Sequence, residues 1–260
     1  MLFFVVLAFV ALGQQVVLSA SFRFNFSSSI EQCAPLQVLY SGFNSTDPIP
    51  TSLLLLPLNS TSLFIPIPNA SPNSTGLAVS FLPLAAGTQF IASLDDSSGD
   101  NAARVSDIFQ VQPSPTNDDS CLPSDSSPLF TLPASVSQCA PFSIGYPDAA
   151  PSVRVFFPNG GSFSLNPSQN NVENQTAFYT LNVTHGSQVL LMASNSSDSG
   201  TTTSLLTVEG DANSDSSCIV LDAHRPTASS SSSSTPVVSR YVYDFFIIYS
   251  LITHPAMAWL

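Results

Sequence analysis

The tetrapeptide Gln32-Cys33-Ala34-Pro35 returns unchanged as Gln138-Cys139-Ala140-Pro141, and the sequence around it returns as well. A run of strand character leads to Gly87-Thr88-Gln89-Phe90 in the first half and to Gly186-Ser187-Gln188-Val189 in the second. An Asp/Asn/Ser turn then ends at Gly99 or Gly200, one more apolar strand follows, and each half closes on Ser-Cys at Cys121 or Cys218. Self-similarity on this scale marks a duplicated structural unit, so the chain is expected to fold as two modules of about 100 residues each.

The first module offers strands at Phe22–Phe26, Leu36–Tyr40, Leu53–Leu58, Leu63–Ile67, Leu77–Leu82, Gln89–Leu94 and Val105–Val111. The second offers Leu129–Leu132, Phe142–Tyr146, Val153–Phe157, Ser162–Leu165, Ala177–Val183, Gln188–Ala193 and Ser204–Val208. Several alternate with period two, and Phe22-Arg23-Phe24-Asn25-Phe26 puts three rings on one face. Twenty-one prolines, many inside or beside apolar runs, exclude long helices. Short strands separated by Asn, Ser, Pro and Gly predict an all-β chain of two tandem immunoglobulin-like antiparallel β-sandwich modules.

Four cysteines allow three pairings. Each module opens with one cysteine and closes with another, so the duplication selects Cys33–Cys121 and Cys139–Cys218 as structural disulfides. Closing loops of that length removes chain entropy worth about 4 kcal/mol each. Such bridges belong outside the reducing cytosol, and neither pair has the spacing of a metal site.

The flanks agree with export. Residues 1–20 hold the uncharged apolar run Leu2–Leu12 followed by small residues, the pattern of a secretory signal peptide. Modules are expected at 21–124 and 125–222, a disordered serine-rich stalk at 223–240 around Ser229–Ser234, and a hydrophobic tail at 241–260. That tail reads either as a membrane or glycolipid anchor, giving membrane association, or as an aberrant end, since Asp244, His254 and Pro255 interrupt it. Eight N-glycosylation sequons follow the leader, at Asn25, Asn44, Asn59, Asn69, Asn73, Asn174, Asn182 and Asn195. Asn25 and Asn182 are expected to point outward from alternating strands.

Charge narrows the function. Seventeen acidic residues face five arginines and no lysine, for a net charge of −12. No basic stripe is available to neutralise phosphates, which excludes nucleic acid as a partner. Asp95, Asp96, Asp100 and Asp107 cluster, but the second module has Asn195, Ser196 and Asp198 at the matching turn. They read as turn formers in place of a catalytic pair, so no catalytic residue is expected. Asp95-Asp96-Ser97-Ser98-Gly99-Asp100 lacks the spacing and closing glutamate of an EF-hand, so neither a metal nor any other cofactor is expected. His185, His224 and His254 read as exposed. Arg23, Arg104 and Arg154 could each pair with a carboxylate or lie along a sheet face, and Tyr40, Tyr146 and Tyr179 are the rings most suited to face a ligand.

The order of signal peptide, Phe-x-Phe strand, Gln-Cys-x-Pro, Leu53-Leu54-Leu55-Leu56-Pro57, Ala86-Gly87-Thr88-Gln89-Phe90, closing Ser-Cys, second copy and serine-rich stalk resembles a group of surface proteins of mushroom-forming fungi. Those proteins are secreted or membrane-anchored. More distantly, the architecture resembles the Ser/Thr-rich, glycolipid-anchored cell-wall family of yeasts. The resemblance implies a non-enzymatic surface glycoprotein of the fungal cell wall, structural, adhesive or part of a sensor. Its partner would be cell-wall polysaccharide or another surface protein. The alternative is a carbohydrate-binding protein with a defined pocket, and a more remote one is a glycoside hydrolase.

Overall fold

A computed structural model describes residues 23–26, 28–41, 50–67, 76–96, 104–116, 118–123, 128–195 and 200–219. The expected signal peptide, stalk and tail, and the sequons at Asn44, Asn69 and Asn73, lie outside the described residues. All the described residues belong to one compact unit, and none of them is in a helix.

The first half runs β1 (Arg23–Phe26), β2 (Leu36–Ser41), β3 (Pro50–Pro57), β4 (Leu63–Pro66), β5 (Gly76–Val79), β6 (Gln89–Asp96), β7 (Arg104–Val105) and β8 (Phe109–Gln110). One sheet has the order β1-β2-β5 and the other β4-β3-β6-β7, with β8 also on β6, and every pairing is antiparallel. The second half runs β9 (Pro141–Gly145), β10 (Ser152–Phe156), β11 (Ser162–Leu165), β12 (Gln169–Asn171), β13 (Thr176–Thr180), β14 (Gln188–Ser194), β15 (Thr201–Thr202) and β16 (Leu206–Thr207). Its sheets are β12-β13-β9 and β11-β10-β14-β15, with β16 on β14. The strands at the A, B and E places of an immunoglobulin sandwich thus share one sheet in the first half, those at the D, E and B places do so in the second, and those at C′, C, F and G share the other sheet in both. Both halves have this immunoglobulin-like arrangement, as the sequence predicts.

Each sandwich has its own core. Leu36 and Val38 of one sheet meet Leu53, Leu55, Phe90, Ala92 and Leu94 of the other in the first half. Ile144, Ala177 and Tyr179 meet Val153, Val155, Val189, Leu191 and Ala193 in the second. Five strands differ from expectation, among them Leu77–Leu82, which stops at Val79, and Ser204–Val208, which keeps only Leu206–Thr207. The stretch Val105–Val111 breaks at Ser106, whose hydroxyl accepts the Ala92 amide (2.8 Å) in place of a ladder bond. Leu129–Leu132 shrinks to one bridge, Thr131 to Gly145, and Ala177–Val183 stops as a strand at Thr180. Strand β12 is wholly polar and exposed, so no apolar alternation announces it.

A third core lies between the sandwiches. Alternate residues of β3 point in opposite directions, so Leu53 and Leu55 fill the first module while Leu54 and Leu56 face away from it. Leu54, Leu56, Ile91 and Val105 cluster with Phe156, Leu190 and Met192 of the second half, all 5% exposed or less. The large sheets therefore pack on each other, and β3, β6, β10 and β14 are buried on both faces.

Candidate functional site

The repeated motif is a clamp at the closed end of each module. Cys33–Cys121 and Cys139–Cys218 are both bridged, each with Cα atoms 5.5 Å apart, as the duplication predicts. Cys33 (φ 58°) and Cys139 (φ 53°) adopt the same left-handed backbone, and their amides donate to Leu82 O and Leu181 O (3.0 Å each). The glutamine before each cysteine binds two loops at once. Gln32 accepts the Ala86 amide (2.8 Å) and donates to Asp118 O (2.6 Å); Gln138 accepts the His185 amide (2.8 Å) and donates to Asp215 O (2.7 Å). Asp118 accepts the Ser120 amide (2.9 Å) and Asp215 the Ser217 amide (2.8 Å), which explains the Asp-x-Ser-Cys closure. Hydrogen bonds from Ser120 and Ser217 hold these two carboxyls below the ordinary aspartate range.

The seam between the modules has pseudo-twofold symmetry. The Asn59 amide donates to Thr203 O (3.0 Å) and the Asn159 amide to Ser106 O (2.9 Å). The Thr202 amide donates to Ser60 O (2.9 Å) and the Val105 amide to Gly160 O (3.0 Å). Each module's hairpin tip thus caps the other's edge strand, and Asn59 (φ 55°) and Asn159 (φ 60°) share the turn conformation this requires. Glycine is needed at Gly200, where an added Cβ would stand 2.6 Å from Ala193 O. Its amide donates to the Ser62 hydroxyl (2.8 Å), and its carbonyl accepts the Ser62 amide (2.8 Å).

One charged contact breaks the symmetry. Arg154 forms a two-pronged ion pair with Asp95 across the seam, with side chains 10% and 16% exposed. Its Nε and one terminal nitrogen donate to the Ser162 hydroxyl (3.0 and 2.7 Å), and the guanidinium lies 4.7 Å from the Phe156 ring centre. By register, Arg154 stands where the first module has Leu54, and Asp95 where the second has Ser194. Arg154 therefore meets both sequence expectations at once, pairing with a carboxylate and lying along a sheet. Asp95 and Asp96 were expected in a solvated turn, but they end strand β6 because the second module shields that edge. Asp100 lies outside the described residues.

Two other expectations change. Tyr146 (6% exposed) and Tyr179 (0%) are core residues, not ligand-facing rings. The Tyr146 hydroxyl donates to Asn170 Oδ1 (2.5 Å) and the Tyr179 hydroxyl to Pro151 O, which satisfies both inside the sandwich. Burial, with a smaller contribution from Tyr146, pushes the Tyr179 phenol up to about 12. The ring of Tyr40 lies outside the described residues. His185 is half-buried, with Nδ1 3.0 Å from Gln138 Oε1, because the motif glutamine reaches its turn.

Among the sequons, Asn25, Asn59, Asn174 and Asn195 are exposed. Asn182 is half-buried beyond the end of β13, with its side-chain oxygen buried and unpartnered. The alternation read at Leu181-Asn182-Val183 does bury both neighbours, yet it does not carry the asparagine clear to solvent.

Where the second module's hairpin tip meets β7, a cleft of about 460 Å³ opens. Its walls are Asn25 of β1, Arg104, Val105, Ser106 and Asp107, Phe109 of β8, and Asn159 from the other module. Asp107 accepts the Ile108 amide through Oδ1 (2.8 Å). The Arg104 guanidinium makes no hydrogen bond or ion pair among the described residues. Of these residues Asn25, Arg104 and Asp107 stood out in the sequence, each for another reason, because the cleft needs both modules to exist.

No family model matches the chain, and no curated protein matches it. Two solved structures are similar in part. One is a Bacteroides ovatus mixed-linkage glucan utilization locus protein, SGBP-B, in complex with a mixed-linkage heptasaccharide, at 13% identity and a TM-score of 0.24. The match covers 69% of this chain and spans 43% of that one. The other is the two tandem V-type regions of VCBP3, a v-region-containing chitin-binding protein, at 9% identity and a TM-score of 0.23, covering 72% of this chain and 99% of that one.

Proposed function

We propose that this chain is a non-enzymatic extracellular or cell-surface glycoprotein of the fungal cell wall, serving as a structural or adhesive element or as a sensor ectodomain. The observation that carries the reading is the fusion of two disulfide-closed sandwiches through a shared apolar core. Two bridges that each close a whole module suit an oxidising compartment. Two sandwiches packed on one apolar cluster suit the display of loops and glycans at a fixed spacing. Exposed sequons on both modules support surface glycosylation. Asp95, engaged by Arg154, offers nothing to a paired-carboxylate mechanism, which supports a non-enzymatic role. Membrane association would come from residues 241–260.

The test is fractionation of cells that express a tagged chain, with thiol counting on the recovered protein. Recovery from the wall, the surface membrane or the medium with no free thiol is the expected result. Recovery from the cytosol with four free thiols overturns the proposal. A second reading, recognition of cell-wall polysaccharide, is favoured by the cleft at Arg104 and Asp107.

A further inference from the structure

We infer that the cleft formed by Asn25, Arg104, Asp107, Phe109 and Asn159 is a saccharide site that holds a neutral sugar ring. The duplication supplies an internal control. By register and seam bonds, Arg104, Asp107 and Phe109 correspond to Thr201, Ser204 and Leu206. At that other corner Thr201 and Leu206 are buried, so the same structural task is met by neutral side chains. Packing therefore does not require a charge at position 104 or 107. The first module has nevertheless placed a carboxylate and a guanidinium that has no partner among the described residues in an open cleft.

The wall chemistry selects the ligand. A guanidinium fork donates to adjacent oxygens, a carboxylate accepts, and the amides of Asn25 and Asn159 do both. Vicinal sugar hydroxyls are donors and acceptors at once and match such a set. Phe109, half-buried at the cleft wall, supplies an apolar surface for the C–H face of a ring. Asp107 and the net charge of −12 disfavour an anionic ligand, and Arg104 disfavours a cation. The volume falls within the range of about 300–1,000 Å³ common to small-ligand sites.

The ring has two sources of the same chemistry: a wall oligosaccharide, or the N-glycan that the sequon at Asn25 would carry on the cleft wall itself. This inference rests on the saccharide-recognition reading and assigns it to named residues. The experiment uses the full secreted chain and its Ser27→Ala form, which removes the sequon and keeps the Asn25 amide, each titrated with β-glucan and chitin oligosaccharides in a calorimeter. In parallel, release of the Asn25 glycan by endoglycosidase is timed against release at Asn174.

If the ligand is exogenous, Arg104→Ala weakens oligosaccharide binding by about tenfold or more, while Thr201→Ala leaves it unchanged. If the ring is the protein's own, the Asn25 glycan is released more slowly than that at Asn174, and Arg104→Ala removes the difference. Binding that survives Arg104→Ala overturns the assignment to this cleft but not saccharide recognition. Absence of both oligosaccharide binding and glycan protection overturns the site and that reading together. It leaves the surface-glycoprotein proposal standing on its own fractionation test.

Discussion

Removal of one half of the Arg154–Asp95 pair should destabilise the molecule more than any surface substitution, and replacement of both halves should not. Both side chains are largely out of water, and Asp95→Ala would take the two-pronged carboxylate partner from a guanidinium that lies in the seam against Ser162 and the Phe156 face. Breaking a buried pair in this way costs about 3–5 kcal/mol. In a protein of this size that corresponds to a fall in Tm of roughly 6–20 °C. The opposite side of the pseudo-twofold seam shows what a neutral solution looks like, because Leu54 and Ser194 occupy the equivalent places, 2% and 3% exposed. Arg154→Leu combined with Asp95→Ser copies that solution and should return stability to within about 1 kcal/mol of the parent. Thermal and urea melts followed by circular dichroism measure both variants. A double variant as unstable as Asp95→Ala, or a single variant that loses less than about 1 kcal/mol, would refute the burial argument.

Three further outcomes are expected. Cys33→Ser with Cys121→Ser should lower stability by about 4 kcal/mol in urea melts under non-reducing conditions, and a change below about 1 kcal/mol would contradict the loop-closure account. Gly200→Ala should lower Tm, since its Cβ would meet Ala193 O at 2.6 Å and push the hairpin off Ser62, while alanine at exposed Ser80 should not. The Tyr179 phenol is raised from 10 to about 12, so folding favours its neutral form. The stability it contributes is complete below about pH 10 and is lost as pH rises towards about 12, and absorbance at 295 nm should show one tyrosine that ionises only with unfolding. Ionisation of all the tyrosines near pH 10 with the fold intact would contradict this.

The sandwich topology and the disulfides were legible in the sequence because both are local or repeated signals. Period-two alternation marks strands that face one core, and a cysteine at each end of a duplicated unit leaves little choice of pairing. The seam left a different trace. Leu53-Leu54-Leu55-Leu56, Phe90-Ile91-Ala92 and Val189-Leu190-Leu191-Met192 are apolar at every position, which a sandwich with one wet face does not need. Read by continuity instead of alternation, they announce strands buried on both sides. Asp95 and Asp96 were misplaced for the same reason, because a turn propensity cannot register a second module that shields it. The cleft was invisible, since Asn25, Arg104 and Asn159 are far apart in the chain and meet only after the two modules dock.

The account depends on the two copies sharing one apolar core. Methyl NOEs in a deuterated chain with labelled Leu and Met groups report on that directly. Cross-module NOEs between Leu54 or Leu56 and Leu190 or Met192 are expected, alongside those within each module. Intact NOEs within both modules with none across the seam would contradict it.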